Sequence, residues 1–220
     1  MKTRRRELVP RKSKTAISPP STRRPRRIVT VSGRGVRGRF PSRKSPKPPQ
    51  FESLVEEMML HVVEVAPMVK AITTQPCVFE YLEGARMRRY TPDLALDTAV
   101  GAFYVEVKDE ASLVEGSKNV ERLRVALKHL RECGERLFIV LRSDLIGNDL
   151  QCRLRQILRT RPIRRRHRSD IDASLWDPEC GTTPPAGIHE QWESAKLECD
   201  ALLRRIMKRD PDGLLPQQAR

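Results

Sequence analysis

Several features that are common in secreted and membrane proteins are scarce in this chain of 220 residues. No apolar run approaches the roughly 20 residues that a membrane-spanning helix needs, and the first residues lack the apolar core of a secretory signal. The five cysteines are odd in number and contain no C-x-x-C pair. That pattern argues against a disulfide framework and against a zinc ribbon. These absences favour a cytoplasmic protein whose thiols stay reduced.

Acidic residues are almost absent from the first fifty positions. This segment has 17 Lys and Arg residues against the single acid Glu7, so its formal charge is +16, while the whole chain carries +15. Residues 51–220 therefore sum to −1, and the basic character is confined to one end of the chain. The segment is also rich in Ser, Pro and Gly. This composition is typical of a disordered basic arm, which we place at residues 1–36.

The basic segment predicts a polyanionic partner, most simply double-stranded DNA, because lysine and arginine release counterions when they neutralise phosphates. A nuclear-localisation signal or a generic polybasic tail fits the same composition. A membrane surface fits less well, since no amphipathic helix accompanies the arginines, and we expect no membrane partner. The predicted DNA-binding residues lie where the arm leads into the following domain, and they are Arg34, Arg37, Arg39, Arg43, Lys44 and Lys47.

The stretch 88–108, with the sequence RRYTPDLALDTAVGAFYVEVK, is predicted to form two strands joined by a turn at 97–101. A proline suits an edge or a bulge, and it leaves Asp93 at an irregular point of the first strand. Side chains alternate along the second strand, so Glu106 and Lys108 share one face and three apolar residues share the other. Asp93, on the neighbouring strand, is placed to reach the same spot.

Two carboxylates that converge suit a hard divalent cation such as Mg²⁺, because this ion prefers oxygen ligands and keeps several waters. Asp93 and Glu106 are the predicted ligands. Lys108 is placed to orient or deprotonate a bound water, or to stabilise charge on a phosphate, so the group supports metal-assisted hydrolysis of a phosphodiester. The alternative is a surface hairpin with an ordinary Glu–Lys pair, because a short D…ExK spacing is common by accident.

A helix is predicted from Glu52 to about Ala66, with an apolar stripe at helical spacing. Glu56 has apolar residues at i+3, i+4 and i+7, whereas Glu57 has polar neighbours and a wetter surface. A carboxylate that faces the core needs a partner or a metal. Glu56 is therefore predicted to join the site as a third acidic residue, with a catalytic role and as a further ligand of the metal. The alternative is that the Glu56 side chain lies at the edge of the apolar stripe and extends into solvent.

The remaining pattern alternates between strands and helices. The order of one helix, about three strands, a helix and a strand predicts an α/β core with its sheet covered on at least one side. We place this core at residues 37–147 and a small helical region at 148–220, which is either a DNA- or partner-binding appendage or packing that completes the core. The other predicted elements are strands near 69–73, 77–82 and 136–141 and helices near 113–132, 149–158 and 192–207.

Four short motifs together resemble the TnsA endonuclease family, the transposon-end-cutting subunits of heteromeric transposases. They are FESLVEE (51–57), QP (75–76), RRYTPD (88–93) and VEVK (105–108). The segment RGRFPSRK (37–44) also resembles the one that leads into that family's nuclease domain. The resemblance covers about residues 37–141. It implies a restriction-endonuclease-like core, which is a central mixed β-sheet flanked by helices with a PD-(D/E)xK site.

By this resemblance Glu56 matches the helix-borne acid of the family, Asp93 the acid of the P-D element, and Glu106 and Lys108 the (D/E)-x-K pair. It implies Mg²⁺ or Mn²⁺ and cleavage at the 5′ ends of a transposon. It also implies a DDE transposase partner for the 3′ ends, commonly an AAA+ ATPase regulator, and a bacterial protein at the nucleoid when bound to DNA. The family often carries a C-terminal winged-helix-like domain, which residues 149–220 match poorly.

Two other functions stay open at this point. A free-standing nuclease in phage or plasmid processing or in repair would use the same chemistry without a transposase, and a transposase gene next door would distinguish the two. A non-catalytic DNA-binding accessory protein would use the basic arm alone. That protein would show salt-sensitive DNA binding and no response to Mg²⁺ or Mn²⁺.

Overall fold

The protein is described here by a computed structural model of residues 36–83, 85–162 and 172–216. These residues form eight strands, five α-helices and three short 3₁₀ turns. Residues 1–35, which hold Arg34 and nearly all of the predicted arm, lie outside the described residues. The elements in chain order are β1 (Gly38–Arg39), β2 (Gln50–Phe51), α1 (Leu54–Val65), β3 (Val69–Thr74), β4 (Phe79–Glu83), β5 (Arg86–Tyr90), β6 (Leu94–Thr98), β7 (Phe103–Lys108), α2 (Lys118–Glu132), β8 (Leu137–Leu141), α3 (Arg142–Leu145), α4 (Leu150–Thr160) and α5 (Ala186–Lys208).

The main sheet contains four strands in the order β3, β6, β7 and β8. The first two pairings are antiparallel, whereas β7 and β8 are parallel and α2 connects them. β4 and β5 pair with each other as a separate antiparallel hairpin, and β1 and β2 form a two-residue ribbon. The predicted α/β class, with a mixed sheet flanked by helices, is confirmed. Strand β7 lies inside the sheet, so its backbone is held from both sides.

The two faces of the sheet border separate apolar clusters. One cluster joins Val105 of β7 to buried residues of α1, α4 and α5. The other joins Ile139 of β8 to buried residues of α2 and of the β4–β5 hairpin. Glu106 lies opposite Ile139 in the register of the parallel pair. The predicted alternation along β7 is therefore confirmed, and the face that carries Glu106 and Lys108 looks toward α2 and the hairpin.

The prediction of two strands over 88–108 is wrong, because this stretch contributes to three. Residues 88–90 belong to β5 and pair with β4. The chain then leaves the hairpin at 91–93, and β6 begins at Leu94. Proline 92 has no N–H to donate to a ladder, which accounts for a break at this point. Asp93 therefore lies in the connection just before β6 and not within a strand.

Helix α2 begins five residues later than the predicted 113. The residues in between form a 3₁₀ turn at Glu110–Ser112 and a loop. Ser117 then accepts a hydrogen bond from the Val120 N–H at 3.3 Å and caps the helix. This cap fixes where α2 starts, beside the end of β7.

The C-terminal helices complete the core and do not form a separate appendage. Buried residues of α4 and α5 lie in the same apolar cluster as α1. Trp192 of α5 is 1% exposed and meets the ring of Trp176 edge to face, with the ring centroids 5.7 Å apart. Of the two alternatives open for residues 148–220, the structure favours packing. Among the helices described here, none is both long and apolar enough to cross a membrane.

A cluster of buried charges fixes the segment 42–44 to α1. Glu64 is fully buried and accepts hydrogen bonds from the Ser42 hydroxyl at 2.6 Å and the Arg43 N–H at 2.8 Å. It also pairs with the Arg161 guanidinium at 2.7 Å. Lys44 donates from Nζ to the carbonyls of residues 63 and 66 near the end of α1. Burial lowers the pKa of Lys44 to about 8.

This burial corrects part of the predicted DNA-binding set. Arg43 is 4% exposed and Lys44 is 1% exposed. The Arg43 guanidinium donates to backbone carbonyls of residues 162, 175 and 176. The prediction that these two residues bind DNA is therefore wrong, because both charged groups are buried and donate hydrogen bonds to carbonyls inside the fold. Arg39 and Lys47 are exposed and Arg37 is half-buried, so their assignment stays a prediction.

Candidate active site

An open cavity of about 860 Å³ lies where the first turn of α1, the connection before β6, the end of β7 and the start of α2 meet. Glu56, Asp93, Glu106 and Lys108 all line it. The four residues come from three separate parts of the chain, and the fold brings them to one opening. This agrees with the predicted grouping.

The backbone of β7 holds Asp93 at the rim of the sheet. Its Oδ2 accepts a hydrogen bond from the Val107 N–H at 2.8 Å. Register explains the contact, since Leu94 lies opposite Val105 in the β6–β7 ladder, and the residue before Leu94 continues toward Val107. Continuing this antiparallel register brings Asp93 beside Glu106, and its carboxylate is held there by the Val107 N–H.

Glu106 is the most deeply placed carboxylate of the cavity, with 6% of its surface exposed. Its Oε1 lies 2.6 Å from the Lys108 ammonium. Its Oε2 accepts a hydrogen bond of 2.7 Å from the Tyr90 hydroxyl. A buried carboxylate needs such partners, because an unpaired charge inside a protein is costly. Both oxygens therefore have fixed positions.

Tyr90 is a site residue that the sequence did not single out. It ends β5, is 4% exposed, and has its pKa raised well above the ordinary value by burial and by the adjacent Glu106 carboxylate. Tyr90 is thus a neutral hydrogen-bond donor. In the sequence, only its position two residues before the proline of RRYTPD could have pointed to Tyr90. The direction of its hydroxyl depends on how the hairpin packs over β7.

Glu56 faces the cavity from the first turn of α1, but its direct contacts are local. Its Oε1 accepts from the Ser53 hydroxyl at 3.0 Å and its Oε2 from the Glu52 N–H at 2.8 Å. Ser53 in turn caps the helix by accepting from the Glu56 N–H. Burial raises the pKa of Glu56, while Lys108 lowers it to a smaller extent. Glu56 therefore supports the cap of α1, and its pKa also responds to the charge of Lys108.

Burial and like charge act together on the carboxylate in the middle of the site. Burial and the neighbouring Glu106 carboxylate raise the pKa of Asp93 well above its ordinary value. Glu56 adds to this rise, and Lys108 opposes it. The site thus holds carboxylates that repel one another and that a positive charge would stabilise.

Lys108 keeps its positive charge despite its position. Burial lowers the pKa of Lys108, but the carboxylates of Glu106 and Asp93 together outweigh that effect, so the net pKa is raised. The residue therefore acts as an ammonium ion at neutral pH. Of the two predicted roles, charge stabilisation is favoured over proton abstraction, which would need a lowered pKa.

The donor set fits a magnesium-type ion held by few protein ligands. Among the residues the structure describes, no three His, Cys, Asp or Glu side chains are gathered closely enough to hold a metal ion. Mg²⁺ is nevertheless commonly bound through one or two carboxylates with several waters. Asp93 and Glu106 supply two carboxylates whose mutual repulsion a cation would relieve. Glu56 as a direct ligand stays a prediction.

Comparison with known proteins adds little to this geometry. No protein family matches the chain, and no curated protein matches it. The search of solved structures finds a likeness to the crystal structure of protein VC1899 from Vibrio cholerae, with 15% identity and a TM-score of 0.25. The match covers 47% of this chain and 32% of that one, so this chain spans about a third of that protein's length. A TM-score this low carries no argument about fold or function.

Proposed function

We propose that this chain is a metal-dependent DNA endonuclease of the TnsA kind, with a restriction-endonuclease-like core. The observation that carries the proposal is the meeting of Asp93, Glu106 and Lys108 in one cavity, on the face and at the strand end where the motif needs them. The raised pKa of Asp93 is further support, because a site that disfavours two bare carboxylates favours a bound cation.

Each residue of the site has a role that its contacts suggest. Asp93 and Glu106 would hold Mg²⁺ or Mn²⁺, which supplies Lewis acidity and an activated water for phosphodiester hydrolysis. Lys108, as an ammonium ion, stabilises negative charge that develops on the phosphate. Tyr90 fixes the orientation of Glu106 through its hydrogen bond. Glu56 adds negative charge at the rim of the cavity.

The partners belong to the same proposal. The substrate is double-stranded DNA at the ends of a transposon, cut at the 5′ ends while a DDE transposase processes the 3′ ends. An AAA+ ATPase would regulate that assembly, and the protein would work at the bacterial nucleoid. What supports this is the four-motif resemblance over residues 37–141 together with the formal charge of +16 on residues 1–50.

The direct test is strand cleavage of DNA that carries the transposon ends, in a reaction reconstituted with Mg²⁺ and the transposase that the neighbouring gene encodes. Asp93→Ala and Lys108→Ala should each abolish cleavage and leave DNA binding nearly intact. Matched controls are Asp97→Ala and Lys70→Ala, because both side chains are exposed on strands of the same sheet. The controls should cut like the wild type.

Undiminished cutting by either site variant would overturn the assignment. A non-catalytic accessory role would be favoured by another result: the chain binds DNA, but calorimetry shows no heat of Mg²⁺ or Mn²⁺ binding. Cutting without any transposase would instead identify a free-standing nuclease with the same site.

A further inference from the structure

A second depression lies beside the cavity, between the β4–β5 hairpin and the start of α2. We call it the hairpin groove. It encloses about 690 Å³ and is lined by Tyr81, Glu83, Met87, Arg88, Arg89, Gly116, Lys118, Glu121 and Arg122. Arg89 and Arg122 also line the catalytic cavity. The groove and the cavity are therefore continuous along one surface.

The two depressions carry opposite charge. The hairpin groove has four cationic side chains against two carboxylates. The cavity has five carboxylates, Glu52, Glu56, Asp93, Glu106 and Asp109, against three cationic side chains. A phosphate backbone is repelled by the bare cavity and attracted by the groove next to it. The charge pattern thus suits a strand that is bound in the groove and presented to the cavity.

The arginines of the groove can exchange their present carboxylate partners for a phosphate. Arg88 pairs with Glu83 at 2.7 Å, yet half of the Arg88 side chain and 42% of the Glu83 side chain are exposed. Arg89 pairs with Glu80 at 2.9 Å and is 60% exposed. Such surface pairs contribute little to stability, so a phosphate can replace the carboxylate. This contrasts with Arg43, whose guanidinium is held by buried carbonyls.

Arg122 connects the two depressions. It lies in the second turn of α2, is exposed, and donates from Nη2 to the Arg89 carbonyl at 2.8 Å. The carbonyl that it contacts belongs to the residue next to Tyr90 in the chain, and Arg122 lines both depressions. Arg122 is therefore close to the partner of a proposed metal ligand. No motif of the sequence pointed to it.

The outer part of the hairpin is exposed from Leu82 to Arg89 in the residues that are described. At its end, Leu82 and Met87 lie opposite each other and are 63% and 59% exposed. A two-stranded ribbon has the width that a major groove of DNA admits. An apolar pair bordered by arginines suits contact with sugars and base edges more than with bulk water.

We propose that the hairpin groove is the surface that holds the DNA backbone next to the scissile phosphate, with Arg88 and Arg122 as its phosphate-binding residues. The inference rests on the proposed endonuclease function for the identity of the polyanion. It moves the principal contacts near the site from the segment 37–47 to β5 and α2. An acidic protein segment is the competing occupant, and the test separates the two.

The first experiment measures binding of the full-length chain to a labelled DNA duplex by fluorescence anisotropy, in Ca²⁺ without Mg²⁺. Each neutralised phosphate contributes a slope of about 0.9 to the salt dependence, so losing one weakens binding about eightfold at 0.1 M salt. Arg88→Ala and Arg122→Ala should each show that loss and a slope smaller by about 0.9. The control is Arg131→Ala, since Arg131 lies at the far end of α2, is 62% exposed and also pairs with an acid.

The second experiment locates the contact directly and does not depend on the basic arm. A photo-crosslinking residue, p-benzoyl-phenylalanine, replaces Met87 in the groove or Leu197 on α5, which is 74% exposed. Irradiation should crosslink DNA from position 87 and not from position 197. Normal affinity of both groove variants, or absence of the crosslink at 87, overturns the proposal and leaves an acidic protein segment as the occupant.

Failure of the groove and failure of the function give different results. A crosslink at 87 with no cleavage under reconstitution retains the groove and removes the endonuclease assignment. Cleavage without the crosslink retains the endonuclease assignment and removes the groove as the DNA-binding surface. With p-benzoyl-phenylalanine at position 87, the chain should crosslink equally well with and without Asp93→Ala, because Asp93 lies outside the groove.

Discussion

The hydrogen bond from Tyr90 to Glu106 gives a prediction that can be tested without substrate or partner. Tyr90→Phe removes one oxygen and leaves Glu106 Oε2 without the donor that now lies 2.7 Å away. Hydrogen bonds to charged groups contribute about 1.5–3 kcal/mol. Glu106 is 6% exposed, so water cannot easily replace the hydroxyl. We expect the variant to lose about 1.5–3 kcal/mol of unfolding free energy.

The assay is urea denaturation at neutral pH in the presence of a chelator, followed by the fluorescence of the two buried tryptophans. A loss of 2 kcal/mol corresponds to roughly a thirtyfold fall in the folded-to-unfolded ratio. The measurement is then repeated in Mg²⁺. A cation on Glu106 would give its oxygen a new partner, so the difference between variant and wild type should narrow.

The matched control is Tyr81→Phe. Tyr81 lies in the same hairpin and is 5% exposed, and its hydroxyl makes no hydrogen bond to any residue that the structure describes. Tyr81→Phe removes the same atom from the same hairpin without breaking a hydrogen bond to a described residue, and it should change stability by less than about 0.5 kcal/mol. Equal effects of the two substitutions, or a Tyr90→Phe chain as stable as the wild type, would refute the argument that Tyr90 fixes Glu106.

Two further predictions concern buried carboxylates. The pKa of Asp93 is raised in the folded chain, so its contribution to stability is present below its unfolded pKa of about 3.9 and is lost as pH rises through the folded value. The metal-free wild type should therefore lose stability as pH rises above about 4, and Asp93→Asn should lack that part of the loss. Urea unfolding in chelator at a series of pH values would check this. Curves of stability against pH that run parallel for the variant and the wild type would contradict it. Glu64→Gln leaves the Arg161 charge buried without its carboxylate and should destabilise the chain by about 3–5 kcal/mol. Thermal and urea unfolding would check the second prediction, and a change below about 1 kcal/mol would contradict it.

The parts of the fold that the sequence predicted well are those set by local periodicity. The alternation in FYVEVK placed Glu106 and Lys108 on one face of β7, since a strand has only two faces. Helical spacing likewise identified α1 and selected Glu56, which lines the cavity, over Glu57, which does not, although both are half-buried. These features depend on residues within one element, and neighbours along the chain are sufficient to reveal them.

The parts that the sequence missed depend on contacts between distant elements. Arg43 and Lys44 look like members of a basic surface, because nothing nearby in the chain shows that the carbonyls of residues 162, 175 and 176 and those at the end of α1 accept their hydrogen bonds. Tyr90 was missed for the same reason. The break between β5 and β6 was missed because a hairpin partner for residues 88–90 lies upstream, in β4.

The buried charges around Glu64 also determine how the chain can be shortened. Removing residues 1–35 leaves Ser42, Arg43 and Lys44 in place, so every partner of Glu64 described here is retained. Removing residues 1–44 takes away two of those donors and the lysine that binds the last carbonyls of α1. A deletion series that asks what the basic segment contributes should therefore end before Ser42, because a longer deletion would confuse lost DNA affinity with a damaged fold.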